Sequence, residues 1–208
     1  MFNKFIGFIG RNFRNPQGIV GVFMTKIMNI MNQRLYRAVL ENINLESNNV
    51  ILDIGFGNGY LIKQLFKKDI SIKIYSIEIS NDMVNKVLVK NEKNIKNGKL
   101  SLLLENIEKT SFDNNIFDKI VTINTFYFWA NLEKCFSEIK RILKHNGIFF
   151  NVVYTKQFLD KIICTNYGFM KYEIEEIVNI TKRNGMQIIE IIEIEKNKSY
   201  CIKSCLGK

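Results

Sequence analysis

The chain has one proline, one histidine and one tryptophan in 208 residues. With only 12 glycines beside that single proline, collagen-like, linker-rich and low-complexity classes are excluded. The four cysteines (Cys135, Cys164, Cys201 and Cys205) form no C-x-x-C pair, and none lies at zinc-ligand spacing from the lone His145. No metal site is expected, and the thiols read as reduced in a cytoplasmic protein. Uncharged apolar runs of 18 residues are absent, so no membrane span is expected. Met1–Gly10 is too short and interrupted for a signal-peptide core and has no small-residue cleavage site after it. The ending Cys205-Leu-Gly-Lys208 lacks the aliphatic pattern of a prenylation box.

What is present is an ordinary globular balance, 47% hydrophobic and 24% charged, at a length that suits one well-buried core. The formal charge is +10. Such a charge can serve nucleic acid or an anionic membrane, because lysine and arginine neutralise phosphates and release counterions. The basic residues are nevertheless scattered as singles and pairs, such as Lys67–Lys68 and Lys182–Arg183, with no basic run of five or more. They read as a solvated, mildly basic surface.

Two regimes follow one another along the chain. Residues 1–45 read as a helical cap, broken at Asn15-Pro16-Gln17-Gly18. Phe2, Phe5, Ile6 and Ile9 recur at helical spacing, as do Met24, Ile27, Met28, Met31 and Leu35. Residues 46–208 alternate between short apolar runs and helical periods. Strands are expected at 50–54, 73–78, 100–104, 119–123 and 148–153, with helices running to about Phe66 and over about 81–91, 132–143 and 172–184. Two closing runs, 187–194 and 199–202, read as an antiparallel hairpin. This rhythm predicts an α/β fold, a Rossmann-like doubly wound and mostly parallel sheet with a C-terminal hairpin. Ligands of such sheets bind beyond the carboxyl ends of the strands, near the switch point.

The first strand runs into Asp53-Ile-Gly55-Phe56-Gly57-Asn-Gly59. Alternating glycines permit a sharp turn and close approach of a ligand to the main chain. A dinucleotide fingerprint would need its third glycine where Tyr60 stands, so no pyrophosphate site is read here. At the end of the second strand Glu78 can accept two hydrogen bonds from a vicinal diol such as a ribose. Asp53-x-Gly-x-Gly-x-Gly59 followed by Glu78 resembles motifs I and II of class I S-adenosylmethionine-dependent methyltransferases. Phe56 stands where those families usually carry Gly or Cys. Glu105-Asn106-Ile107-Glu108 resembles their adenine-holding segment, with Asn106 where Asp is frequent. Phe117-Asp118-Lys-Ile-Val121 and Glu138-x-x-Arg141-x-Leu143 through Gly147 resemble their approaches to strands four and five. The likeness implies S-adenosylmethionine as cofactor and S-adenosylhomocysteine as product. It places Asp53, Gly55, Phe56, Gly57, Gly59, Glu78, Ile79, Met83, Asn106, Ile107 and Asn124 around that cofactor.

Asn124-Thr-Phe-Tyr127-Phe-Trp129 resembles a segment after strand four in some bacterial small-molecule-type methyltransferases, and Asn15-Pro-x-Gly18-x2-Gly21 resembles their opening. The expected acceptor is therefore a small molecule. Four consecutive aromatics cannot all face inward, so Tyr127, and Trp129 after it, are expected at the acceptor pocket, stacking on the acceptor or facing the sulfonium. Asn124-x-x-Tyr127 also shares its first and last residues with the Asp/Asn-Pro-Pro-Tyr of DNA amino-methylating enzymes but lacks both prolines. A nucleic-acid or protein methyltransferase, and a non-catalytic S-adenosylmethionine-binding protein, remain alternatives. No His–Asp or Cys–His pair marks a base or nucleophile, and His145 reads as a surface residue in the turn before strand five. Tyr36, Tyr127, Tyr154 and Tyr167 are the candidate polar groups, and the Met24-Met28-Met31 stripe reads either as a lid over the acceptor or as core capping.

Overall fold

The computed structural model describes Met28, residues 30–69 and residues 71–207. The expected break at Asn15–Gly18 and the apolar positions from Phe2 to Ile27 lie outside them. Helix α1 (Gln33–Asn42) turns Leu35, Ala38 and Val39 inward, the spacing by which one stripe of a helix is buried. Strands and helices then alternate as β1 (Val50–Ile54), α2 (Tyr60–Lys68), β2 (Lys73–Glu78), α3 (Asn81–Lys90), the short α4 (Glu92–Lys96), β3 (Leu100–Leu104) and β4 (Phe117–Ile123). A 3₁₀ turn (Phe126–Phe128), α5 (Leu132–Ile142), β5 (Leu143–Tyr154), α6 (Lys156–Leu159) and a second 3₁₀ turn (Ile163–Asn166) come next. The chain closes with α7 (Ile174–Arg183), β6 (Met186–Glu195) and β7 (Ser199–Leu206).

The strands form one seven-stranded sheet in the order β3-β2-β1-β4-β5-β7-β6. β1 to β5 run parallel, and β7 runs antiparallel to both neighbours. Buried parallel strands need apolar side chains on both faces, and four of the five residues of β1 are buried. The strand order reverses between β1 and β4, which opens a crevice at their carboxyl ends. The expected hairpin is present, but β7 inserts between β5 and β6, leaving β6 at the edge. Glu190, Glu193 and Glu195 lie along that edge strand, where charge discourages pairing with another chain.

β5 starts at Leu143, not at Ile148, because Leu143 already pairs with Phe117. A shift in register between Phe117 and Lys119 takes up the residues between. His145 is therefore on a strand and not in a turn, and it is exposed. Two motif carboxylates hold these elements together. Asp118 accepts the Val50 N–H at 2.8 Å and the Lys144 ammonium at 2.8 Å, tying β1, β4 and β5. Glu138 on α5 accepts from Arg141 Nε and Nη2 at 2.9 and 2.7 Å and from the Thr110 backbone N–H at 2.8 Å, and it also bonds the Thr110 hydroxyl. The Arg141 guanidinium, with Thr110, holds the Glu138 carboxyl down to about 2. α1 belongs to this same core, since Leu35, Val39 and Ile43 join the buried cluster of the sheet.

Candidate active site

The loop between β1 and α2 needs its three glycines for three different reasons. All have positive φ, at +73° for Gly55, +52° for Gly57 and +76° for Gly59. A Cβ on Gly55 would meet Thr125 Cγ2 at 2.4 Å, and one on Gly59 would meet Val87 Cγ1 at 2.9 Å. These two positions let the loop sit against the end of β4 and against α3. Gly57 has no atom within 4 Å of where a Cβ would be. It borders open space.

Glu78, the last residue of β2, holds the loop from below. Its Oε2 accepts the Gly57 N–H at 3.0 Å, while Oε1 accepts from Ile79 N at 2.8 Å and Ser80 N at 3.2 Å. Burial pushes the Glu78 pKa up and these three donors pull against it. Asp53 lies deeper, with its Oδ2 buried and without a hydrogen-bond partner. Burial, and then the nearby charge of Glu78, push its pKa up to about 8. After β3, the Asn106 side-chain carbonyl accepts the Glu108 N–H at 3.1 Å, closing a local turn. Glu105 is fixed by the Ser111 hydroxyl at 2.6 Å and backbone N–H at 3.2 Å.

These elements enclose a cleft with about 920 Å³ of empty space, its mouth included. Of the expected site residues, Gly55, Phe56, Gly57, Glu78, Ile79, Asn106, Ile107, Asn124 and Trp129 line it. Asp53, Gly59, Met83 and Tyr127 are not among the lining residues. Met83 is wholly buried on the first turn of α3, and Gly59 is the residue that caps α2. The cleft also takes Tyr36, one of the candidate polar groups, and Asn32, Asn58, Thr125 and Phe128, which the motifs do not single out. Asn32 and Tyr36 are four apart, and that interval puts both on one face of the helix opening into α1.

Asn124 forms the far wall in a left-handed conformation, φ +58°. Its amide donates to Asn32 Oδ1 at 2.9 Å, and its Oδ1 accepts from the Tyr127 hydroxyl at 3.2 Å. That hydroxyl also faces the Tyr154 carbonyl at 2.9 Å. The Tyr154 hydroxyl donates to the Met31 carbonyl at 2.9 Å, with Asn32 Oδ1 at 3.3 Å. Burial pushes the Tyr36, Tyr127 and Tyr154 phenols above their ordinary range, so all three stay neutral at physiological pH. Behind this wall is a second cavity with about 510 Å³ of empty space, its mouth included. Tyr127 borders this one, and Phe128 borders both. Of the aromatic quartet, Phe126, Tyr127 and Trp129 are buried and Phe128 is partly open. Trp129 also stacks on Phe149 at 6.5 Å. No lysine, arginine or histidine is among the described residues lining either cavity. Among the described residues, no group of three or more His, Cys, Asp or Glu is placed to hold a metal ion.

A sheet of this order, with a glycine loop gripped by the carboxylate at the end of β2, defines a Rossmann-like nucleoside-binding fold. Residues 52–151 match the methyltransferase-domain family, and the chain has the fold of S-adenosylmethionine-dependent methyltransferases. It is 26% identical over 121 residues to YdaC of Bacillus subtilis (strain 168), an uncharacterized methyltransferase, covering 58% of this chain and 65% of that one. Three curated relatives are matched over 61% to 65% of their own lengths. A SAM-dependent methyltransferase from Aquifex aeolicus superposes with a TM-score of 0.73 at 22% identity, over 88% of this chain and 97% of that one. Geranyl diphosphate C-methyltransferase from Streptomyces coelicolor A3(2), solved with Mg2+, geranyl diphosphate and S-adenosyl-L-homocysteine, superposes with a TM-score of 0.71. Its identity is 12%, over 84% of this chain and 80% of that one. Among the described residues no helix is long and apolar enough to cross a membrane.

Proposed function

We propose that the chain transfers a methyl group from S-adenosylmethionine to a small-molecule acceptor. The observation that carries this reading is the charge of the cleft. In a chain of net charge +10, the described lining residues include no cation, and their charged members are Glu78 and Glu105. A cleft of that sign suits a cationic cofactor and gives no grip to the phosphates of a nucleic-acid acceptor. The residues fit the cofactor in three further respects. Space is open beside Gly57, Glu78 keeps acceptor capacity for a ribose hydroxyl, and Asp53 Oδ2 is buried without a partner.

In this reading Gly55, Phe56, Gly57 and Glu78 hold the ribose side, Ile79, Asn106 and Ile107 the adenine, and Tyr36 and Asn124 the amino-acid end, with Asp53 buried behind the glycine loop. Gly59 and Met83 act from behind, by shaping α2 and α3. When bound, the cofactor supplies a methyl group already activated by its positive sulfur, so the chain's own work is alignment and exclusion of water. Of the described residues before β1, Asn32 and Tyr36 contribute to the wall of the cleft. Four free thiols accord with a cytoplasmic setting.

The net charge is the main observation favouring a nucleic-acid acceptor. Incubation of the protein with methyl-tritiated S-adenosylmethionine and fractionated cell extract separates the two. Label should enter the small-molecule fraction. Label confined to RNA, DNA or protein would refute the small-molecule reading, and no transfer despite cofactor binding would leave a binding protein.

A further inference from the structure

We infer that the second cavity is the acceptor site and that it selects an uncharged, largely apolar acceptor; this rests on the methyltransferase reading above. The cavity adjoins the cofactor cleft through shared residues, since Met28, Asn32, Asn124 and Phe128 face both. A molecule seated there would lie against the end of the cleft nearest β4.

The chemistry of the wall sets the class. The cavity has no charged residue among its described lining residues. Each of its polar side chains is already engaged within the protein. Asn32 and Asn124 bond each other, and Tyr127 and Tyr154 bond Asn124, Asn32 and backbone carbonyls. Thr165 donates to the carbonyls of Leu159 and Ile162. A phosphate, carboxylate or ammonium entering this space would lose its hydration and find no counter-charge among the described lining residues. An aliphatic or aromatic body loses nothing and buries apolar surface against Leu159, Ile162 and Phe169.

The approach is apolar as well. Met31, on the cavity wall, is 40% exposed. Ile163 and Met170, the neighbours of Ile162 and Phe169 along the chain, are 62% and 47% exposed. Large exposed apolar residues gathered beside an apolar cavity mark a surface that receives an apolar ligand.

The test uses two fluorophores that differ by one charged group, N-phenyl-1-naphthylamine and its 8-sulfonate, titrated into the full chain saturated with S-adenosylhomocysteine. The neutral probe should bind without displacing S-adenosylhomocysteine. Ile162→Trp, which fills the cavity from a half-buried position, and Ile162→Asp, which charges it, should each weaken that binding at least tenfold. Both should leave the S-adenosylhomocysteine affinity, measured by calorimetry, within twofold, which also shows that the variants fold. The sulfonate should bind this Ile162-dependent site at least tenfold more weakly. The inference is overturned if a chain that binds S-adenosylhomocysteine takes up no neutral probe, if both Ile162 variants bind it as wild type does, if the probe competes with S-adenosylhomocysteine, or if the sulfonate binds that site equally well. Failure of S-adenosylhomocysteine to bind at all would instead sink the methyltransferase reading.

Discussion

Replacing Glu78 should weaken cofactor binding by an amount that its hydrogen bonds allow to be worked out. The carboxylate accepts from three backbone N–H groups, at Gly57, Ile79 and Ser80, and of its roughly four acceptor sites retains one for a ribose hydroxyl. Hydrogen bonds to a charged group contribute about 1.5–3 kcal/mol each. Glu78→Ala removes the ligand bond, a loss of about 1.5–3 kcal/mol, which is on the order of 10- to 100-fold in affinity. It also frees the Gly57 N–H from its anchor, which adds to the loss. Glu78→Gln keeps one acceptor oxygen and turns an amide toward backbone donors, so a loss of about 10- to 100-fold is expected. Calorimetric titration of S-adenosylhomocysteine at pH 7 measures both, with thermal melting to show that each variant is folded. Dissociation constants within threefold of wild type for both folded variants would refute the assignment of Glu78 to the ribose.

Two further outcomes concern pH and stability. Asp53 keeps its proton in the folded chain up to about pH 8, against an ordinary value of 3.8, so folding takes up a proton across that window and stability falls as pH rises through it. Asp53→Asn should remove that slope, gaining on wild type in melting temperature between pH 5 and 8.5; parallel curves would refute the account. Glu138→Ala strands Arg141 and Thr110 and should cost about 3 kcal/mol, or roughly 6–12 °C in melting temperature at neutral pH. Because the Glu138 pKa is held down to about 2, from an ordinary 4.5, its contribution is present above about pH 4.5 and fades as pH falls toward 2. A difference from wild type that persists unchanged at pH 2 would count against the ion pair as its cause.

The strands that residue pattern places well are those decided locally. β1, β2 and β3 are apolar runs bounded by polar and glycine residues, and their ends fall where that pattern changes. Lys144-His-Asn-Gly147 has turn chemistry, and only its pairing partner across the sheet makes it part of β5. The insertion of β7 between β5 and β6 is likewise a choice of partner that no local pattern encodes, although the glutamates of β6 are consistent with an edge. At the site, the glycine loop and Glu78 were legible because each motif is contiguous and its chemistry local. Asn32 was not, since it meets Asn124 across 92 positions of sequence. Tyr127 was picked out as an aromatic, but its hydroxyl is spent on Asn124 and the Tyr154 backbone, and Phe128 is the quartet's member facing both cavities.

The division of the two cavities has a consequence for how such a protein can change over generations. The first cleft is lined from the ends of β1, β2 and β3, whereas half of the apolar lining of the second cavity comes from one stretch, Leu159 to Phe169, between β5 and α7. Substitutions in that stretch can reshape what is accepted while the glycine loop and Glu78 stay untouched. Drift at Asn32, Asn124 or Phe128 has no such freedom, because each forms part of both walls, and any change there is felt by both occupants at once. Acceptor preference in descendants of this chain should therefore diversify through the eleven residues from Leu159 to Phe169, with the shared wall as the part that cannot follow.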